Sequence, residues 1–137
     1  MEFISVPKDM GSGDLRSDMV GLAKAELVKL HWGTSRANRP KVTIEFVLLE
    51  DIPGIDPPTT GEKVLESASL QPQALWKLNS YYKSVTEEDI PHGDYSFVEF
   101  QEIIEKALLG TKWDLDLFTG QDDKQQPRTQ VRKANAV

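Results

Sequence analysis

The most regular alternation of apolar and polar residues lies in Lys41–Leu49, where every second residue from Val42 onward is apolar. A period of two predicts a strand with one buried face. Leu22–Leu30 is mostly apolar and predicts the partner strand of a long β-hairpin. The connector between them holds glycine, asparagine and proline, which end regular structure, and it carries an aromatic residue and two arginines. The pattern therefore predicts a hairpin with a basic, aromatic tip.

Three later segments predict further strands. Glu62–Leu70 carries a weaker strand pattern, and a turn-rich stretch with Pro-Gly and Pro-Pro pairs separates it from the hairpin. Thr111–Thr119 alternates strictly and places Trp113 on its apolar face, toward the core. Arg128–Ala134 predicts a polar fifth strand with a positive surface.

Two helices are predicted between the third and fourth strands. The first opens at Pro72, a residue suited to a first turn, and runs to about Ser84 on an apolar stripe. The second begins at Ser96, which forms a capping box with Glu99, and it ends at Gly110. Five strands with two helices inserted between the third and the fourth predict a mainly β protein.

Composition limits the classes of protein that fit. The chain has 137 residues, enough for one domain with its own core, and it has no cysteine, which excludes disulfides and thiolate metal sites. We expect a flexible N-terminal segment over residues 1–20 and one domain over 21–135. Without a secretion-signal pattern or an apolar run long enough to span a bilayer, we expect a cytoplasmic protein with no membrane partner.

Charge is segregated along the chain. The net charge is −6, yet residues 24–41 hold five basic residues against one acid, and residues 124–137 hold four basic residues and no acid. Residues 42–123 hold seventeen acids against five basic residues. A surface can therefore carry a local field opposite in sign to the net charge.

The order of elements predicts an oligonucleotide/oligosaccharide-binding (OB) architecture. That fold is a five-stranded, partly open antiparallel barrel, here with helices between strands three and four. Its ligands bind on strands two and three and on the loops joining strands one to two and four to five. The two basic regions include those two loops, so we expect cationic side chains to line one groove.

The chain also resembles small phage-encoded single-stranded-DNA-binding proteins found near recombination and replication genes. The resemblance covers roughly residues 20–135 and implies a bacteriophage protein that acts in the host cytoplasm. Besides single-stranded DNA, it implies a second copy of the chain, and phage recombinase or replication proteins, as partners. The segments that carry it are Leu22–Leu30, Thr34–Pro40, Val42–Phe46, Ala74–Leu78, Leu109–Trp113 and Thr129–Ala134.

Phosphate neutralisation and base stacking select the candidate binding residues. For Trp32 the alternative is packing against the core, and Phe46 is interpreted as core. We expect Trp76, Tyr81 and Tyr82 to pack their helix or contact a second subunit. The candidates are Lys29, Arg36, Arg39, Lys41, Arg128, Arg132 and Lys133 for phosphate, and Trp32 and Phe118 for stacking.

Catalysis has little support in the sequence. His31 and His92 are the only histidines and have no metal-ligand spacing, while Asp114 and Asp116 are interpreted as a solvated strand face beside Lys112. We therefore expect no enzyme, metal or cofactor. Two functions remain: sequence-tolerant single-stranded DNA binding, and an acidic protein-interaction factor that mimics DNA and binds no nucleic acid.

Overall fold

The computed structural model describes residues 15–122 and 124–137. Its framework is one five-stranded antiparallel sheet with the order β3-β2-β1-β4-β5. The predicted five antiparallel strands are confirmed, and each lies within a few residues of its expected bounds. The strands are β1 (Gly21–Thr34), β2 (Pro40–Leu48), β3 (Lys63–Ser69), β4 (Lys112–Gln121) and β5 (Pro127–Ala136).

Both helices lie between β3 and β4, as predicted. A 3₁₀ turn, Pro72–Ala74, leads into α1 (Trp76–Thr86), and α2 spans Phe97–Leu108. The capping box of α2 is confirmed, because the Ser96 hydroxyl accepts a hydrogen bond from the Glu99 backbone N–H and the Glu99 carboxylate accepts one from the Ser96 N–H.

The core lies between the sheet and the helices α1 and α2, each of which buries two residues in it. Phe46 is fully buried and Trp113 is 1% exposed, so their predicted core positions are confirmed. The ring of Tyr81 from α1 packs 5.1 Å from that of Trp113 and 6.2 Å from that of Phe46, centroid to centroid. Aromatic pairs of this kind add about 0.5–1.5 kcal/mol to the stabilisation from burial.

The sheet is open between its edge strands, β3 and β5. Their Cα atoms approach within 8 Å, but no ladder joins them, so the expected barrel is not closed by strand pairing. Helix α1 lies along this opening. The Tyr81 hydroxyl donates to the Glu66 carboxylate on β3 (2.7 Å), and the Ala136 N–H on β5 donates to Ser84 Oγ (3.0 Å).

Most of the segment predicted to be flexible, residues 1–20, lies outside the described residues. Its last six residues pack against the sheet. Met19 is fully buried, its N–H donates to the Thr129 hydroxyl (3.1 Å), and the Thr129 N–H donates to the Arg16 carbonyl (2.9 Å). Residues before the predicted boundary at residue 21 therefore contribute contacts to β5 and to the core.

The proline-rich connector between β2 and β3 is held by polar side chains. The Asp51 carboxylate accepts hydrogen bonds from the Thr59 N–H, the Thr60 N–H and the Thr60 hydroxyl, at 2.7–3.0 Å. These bonds lower the pKa of Asp51. In the part of the chain described, neither helix has the length and apolar character needed to cross a bilayer.

Candidate nucleic-acid interface

The tip of the β1–β2 hairpin presents two exposed arginines. Its turn is closed by hydrogen bonds between Ser35 and Arg39 (N–O 2.7 Å) and between Asn38 and Ser35 (N–O 2.8 Å). Asn38 has a φ of 59°, a left-handed conformation that asparagine tolerates better than most residues. Arg36 and Arg39 are exposed on this turn. The tip is thus a compact basic loop rather than a long irregular connector.

The hairpin tip lies against the connection from β3 to α1. The Leu70 N–H donates to the Pro40 carbonyl (3.0 Å), and Lys41 pairs with Ser69 across the β2–β3 ladder. The Arg39 guanidinium donates to the Gln71 side chain (3.3 Å). A chain of contacts therefore leads from the tip to the beginning of α1.

Trp32 does not belong to the tip, because β1 continues through Thr34. The pattern of inward residues extends past Leu30, so the indole points at α2. Its N–H donates to Glu105 (3.0 Å), and its ring makes edge contacts with Phe97 and Phe100 at centroid distances of 6.1 and 6.3 Å. This half-buried packing agrees with the alternative interpretation of Trp32, in which it packs against the core, and it leaves less of the ring accessible to a base.

Of the remaining candidates from the hairpin, Lys29 is exposed but lies opposite Glu45 in the β1–β2 ladder. The Glu45 carboxylate also forms a hydrogen bond with the His31 ring (2.8 Å) and lies 3.9 Å from the Lys63 ammonium. Lys29 therefore lies beside a carboxylate that two other basic side chains already contact.

The three basic candidates on β5 occupy different environments. Arg128 is half-buried, lies 3.5 Å from the Asp122 carboxylate and donates to the Leu15 carbonyl. The Arg132 guanidinium lies 4.9 Å above the centre of the Phe118 ring, and Lys133 is exposed. Arg128 thus fastens the β4–β5 turn, whereas Arg132 and Lys133 face outward.

The two basic regions do not form the single groove expected from the sequence. Gly21 at the start of β1 pairs with Leu117, near the β4–β5 turn, while Thr34 at the other end of β1 leads into the hairpin tip. Arg128 is therefore separated from Arg36 and Arg39 by the length of a 14-residue strand. The remaining connection between the regions runs along α1 instead.

A groove of about 280 Å³ lies between α1 and β5. The Lys77 ammonium, on its α1 side, contacts the Glu66 carboxylate (2.6 Å) and donates to the Ser67 carbonyl (2.8 Å). Burial raises the pKa of the Tyr81 hydroxyl, which keeps it a neutral donor to Glu66. The groove is lined by Glu66, Trp76, Lys77, Ser80, Tyr81, Val131, Arg132, Lys133 and Ala134.

Trp76 is the most exposed aromatic residue of this groove. It is 70% exposed, so the expectation that it packs its helix is wrong, while contact with a second subunit stays a prediction. The sequence held a signal for this outcome, because Trp76 falls outside the apolar stripe of Leu75, Leu78 and Tyr82. By contrast, Tyr81 is buried as expected.

Ion pairing divides the basic residues into two groups. Among the described residues, those within 4.0 Å of a carboxylate include Arg16, Lys24, Lys63, Lys77, Lys83, Lys112 and Arg128. Within residues 15–122 and 124–137, five of the candidate phosphate contacts have no such ion pair. They are Lys29, Arg39, Lys41, Arg132 and Lys133.

Several acidic residues of the central segment, residues 42–123, form ion pairs or hydrogen bonds within the fold. Asp114 forms an ion pair with Lys24 (3.1 Å), and the Asp89 carboxylate accepts a hydrogen bond from the Asn79 side chain (2.9 Å), which lowers the pKa of Asp89. Among the described residues, no group of three or more histidine or acidic side chains is placed to hold a metal ion.

The geometry thus joins Arg39 and Lys41 at the hairpin tip to Arg132 and Lys133 on β5 through the β3–α1 connection. No protein-family model matches this chain, and no curated protein matches it in sequence.

Proposed function

We propose that the protein binds single-stranded DNA with little sequence preference, using an OB-type barrel. The strand order supports the barrel assignment, because strands one and two pair, strand one also pairs with strand four, and the helices fall between strands three and four. The approach of β3 to β5 fits the partly open form of that architecture. The assignment to phage replication or recombination rests on the sequence resemblance alone.

One observation carries the proposal: the basic residues without ion pairs among the described residues include two at each end of a path that runs from the hairpin tip through Gln71 and α1 to the groove beside β5. Arg39 and Lys41 lie at the hairpin end, and Arg132 and Lys133 lie at the β5 end. Cations that carboxylates have not neutralised are the ones free to displace counterions from phosphate. Gln71 accepts a hydrogen bond from Arg39 at the hairpin end, and α1 lines the same groove as Arg132 and Lys133 at the β5 end.

The alternative function, an acidic factor that mimics DNA, has less support from the side-chain contacts. A DNA mimic needs carboxylates displayed to solvent in regular array. Here Glu66 is bound by Lys77 and Tyr81, Glu45 by His31 and Lys63, and Asp51 by its own loop. These three carboxylates are engaged within the fold.

The test is fluorescence anisotropy of a labelled dT oligonucleotide at several salt concentrations. We expect binding at low salt that weakens steeply as salt rises. The double variant Arg39→Ala/Lys133→Ala should reduce the slope of log affinity against log salt by about 1.4, since each contact with a single strand contributes about 0.7. Failure to bind at low salt would refute the proposal.

The matched control is Lys106→Ala. Lys106 is exposed on α2 and has no ion pair within the part of the chain described, but it lies outside the groove and the hairpin tip. We expect Lys106→Ala to bind with the wild-type salt slope. An equal loss of slope in this variant would show that binding follows net charge and not the proposed surface. An RNA oligonucleotide of the same length measures preference for the sugar.

A further inference from the structure

The exposed indole of Trp76 suggests where on this surface a base would lie. Trp76 is the first residue of α1 and is 70% exposed, although an indole is among the largest apolar groups a chain can bury. The other two tryptophans are engaged in the fold: Trp113 is 1% exposed, and Trp32 donates to Glu105. Trp76 is thus the tryptophan whose ring is available to a ligand.

The groove beside Trp76 provides the charge that a nucleotide requires. Lys133 lines it with no ion pair among the described residues, and Arg132 lines it with its guanidinium held over the Phe118 ring. The single acid in the lining, Glu66, is neutralised by Lys77 at 2.6 Å and accepts the Tyr81 hydroxyl. The groove is therefore net positive, and its one carboxylate is already satisfied.

Its size also fits. About 280 Å³ of open groove is space enough for one nucleobase and part of its backbone. Base stacking on an exposed ring, with cations along the backbone, is the arrangement used by proteins that bind single strands without sequence preference. Trp76 also borders a second groove of about 380 Å³, lined in part by Tyr95 and Phe100, so the strand has room to continue past the ring.

We propose that the groove between α1 and β5 seats an unpaired nucleotide of single-stranded DNA, with its base stacked on Trp76 and its phosphates on Arg132 and Lys133. This proposal rests on the proposed function and adds to it a stacking residue and a binding position outside the β2–β3 face. It replaces Trp32 as the aromatic platform and assigns Arg132 and Lys133 to the same nucleotide.

The test compares Trp76→Ala, Trp76→Phe and wild type in binding a dT oligonucleotide at fixed low salt. We expect Trp76→Ala to weaken binding by about 5- to 150-fold, the range expected for one base–aromatic stack. Trp76→Phe should retain most of the affinity because it keeps an aromatic face. Intrinsic tryptophan fluorescence of the wild type should be quenched on binding, and most of that quenching should be lost in Trp76→Phe.

The control for loss of an exposed apolar group is Leu22→Ala, at a residue that is 78% exposed on β1 and outside the groove. We expect this variant to bind as wild type does. Circular dichroism melting curves of all variants verify that each is folded, which is expected because both side chains are largely exposed.

The outcomes separate the two proposals. If wild type binds and Trp76→Ala binds equally well, the groove is not the base site, while DNA binding itself stands. If wild type fails to bind, both proposals are wrong. If Trp76→Ala and Leu22→Ala weaken binding equally, the effect is not specific to stacking and the groove assignment is overturned.

Discussion

The three tryptophans show that the surroundings of an aromatic side chain, not its type, decide what it can bind. Trp113 alternates into the core, where rings from β2 and α1 surround it. Trp32 lies in β1, two residues before the strand ends at the hairpin tip, and its side chain points toward α2, which covers it. Trp76 lies off the apolar stripe of α1 and stays exposed. Sequence reasoning that ranks aromatics by proximity to basic residues selects Trp32 and misses Trp76.

At Trp32 we predict a structural role that can be measured apart from DNA binding. Trp32→Phe keeps the ring contacts with Phe97 and Phe100 but removes the indole donor to Glu105. We expect the free energy of unfolding to fall by about 1.5 kcal/mol, as for a hydrogen bond to a charged group, with unchanged affinity for a dT oligonucleotide. Urea unfolding measures the first quantity.

A double-mutant cycle with Glu105→Ala isolates the Trp32–Glu105 bond from other effects of each substitution. If the bond contributes as proposed, the two losses of stability are not additive. Additive losses, or a large loss of DNA affinity in Trp32→Phe with normal stability, would contradict this role.

At the scale of the element, α2 owes its start to local chemistry that can be recognised in the sequence. Ser96 and Glu99 satisfy two backbone N–H groups reciprocally, and the Ser96 N–H lowers the pKa of Glu99. We predict that Ser96→Ala costs about 1 kcal/mol of stability and lowers the melting temperature by about 4 °C. Calorimetry or a circular dichroism melt measures this shift.

Ser80→Ala is the matched control, because Ser80 lies inside α1 and its hydroxyl donates to the Lys77 carbonyl of the same helix and to no other described residue. Alanine is a better helix former than serine, so we expect no loss of stability there. A similar loss in both variants would argue against the capping role of Ser96.

The same local rules explain which elements were predictable. Strict alternation located β2 and β4 to within two residues, and the capping box located α2. The end of β1 was missed because Gly33 and His31 looked like loop residues, whereas pairing with Lys41 and Thr43 keeps them in the ladder. Such pairing depends on a partner strand and cannot be deduced from the segment alone.

The candidate interface was predictable only in part, for the same reason. Positive charge in the sequence correctly located exposed cations such as Arg39, Arg132 and Lys133. It could not show that Arg128 would be engaged by Asp122 across a turn, or that α1 would place Trp76 beside β5. The first placement depends on the conformation of the β4–β5 turn, and the second on the opening between β3 and β5, which depends on the whole sheet.

At the scale of the molecule, carboxylates accept hydrogen bonds in several loops and at the start of α2, which makes the stability of the protein depend on pH. The pKa values of Asp51, Asp89, Glu99 and Asp122 are all lowered, mainly by hydrogen bonds to side-chain or backbone donors. A pKa that is lower in the folded than in the unfolded state means that protonation favours unfolding. The stabilisation is therefore complete above the unfolded values, near pH 4, and is lost as the pH falls through the lowered ones.

Asp51→Asn tests this at the connector between β2 and β3, where Asp51 accepts three hydrogen bonds from Thr59 and Thr60. We expect urea unfolding to show lower stability than wild type at pH 7 and a weaker decline between about pH 5 and 3, because one of the linked protonations is removed. Glu88→Gln is the control, since that side chain makes no hydrogen bond or ion pair with the described residues. It should leave stability at pH 7 unchanged. A wild-type pH profile in Asp51→Asn would mean that the connector is held by its other contacts, such as the bond from the Ile52 N–H to the Thr59 hydroxyl (2.8 Å).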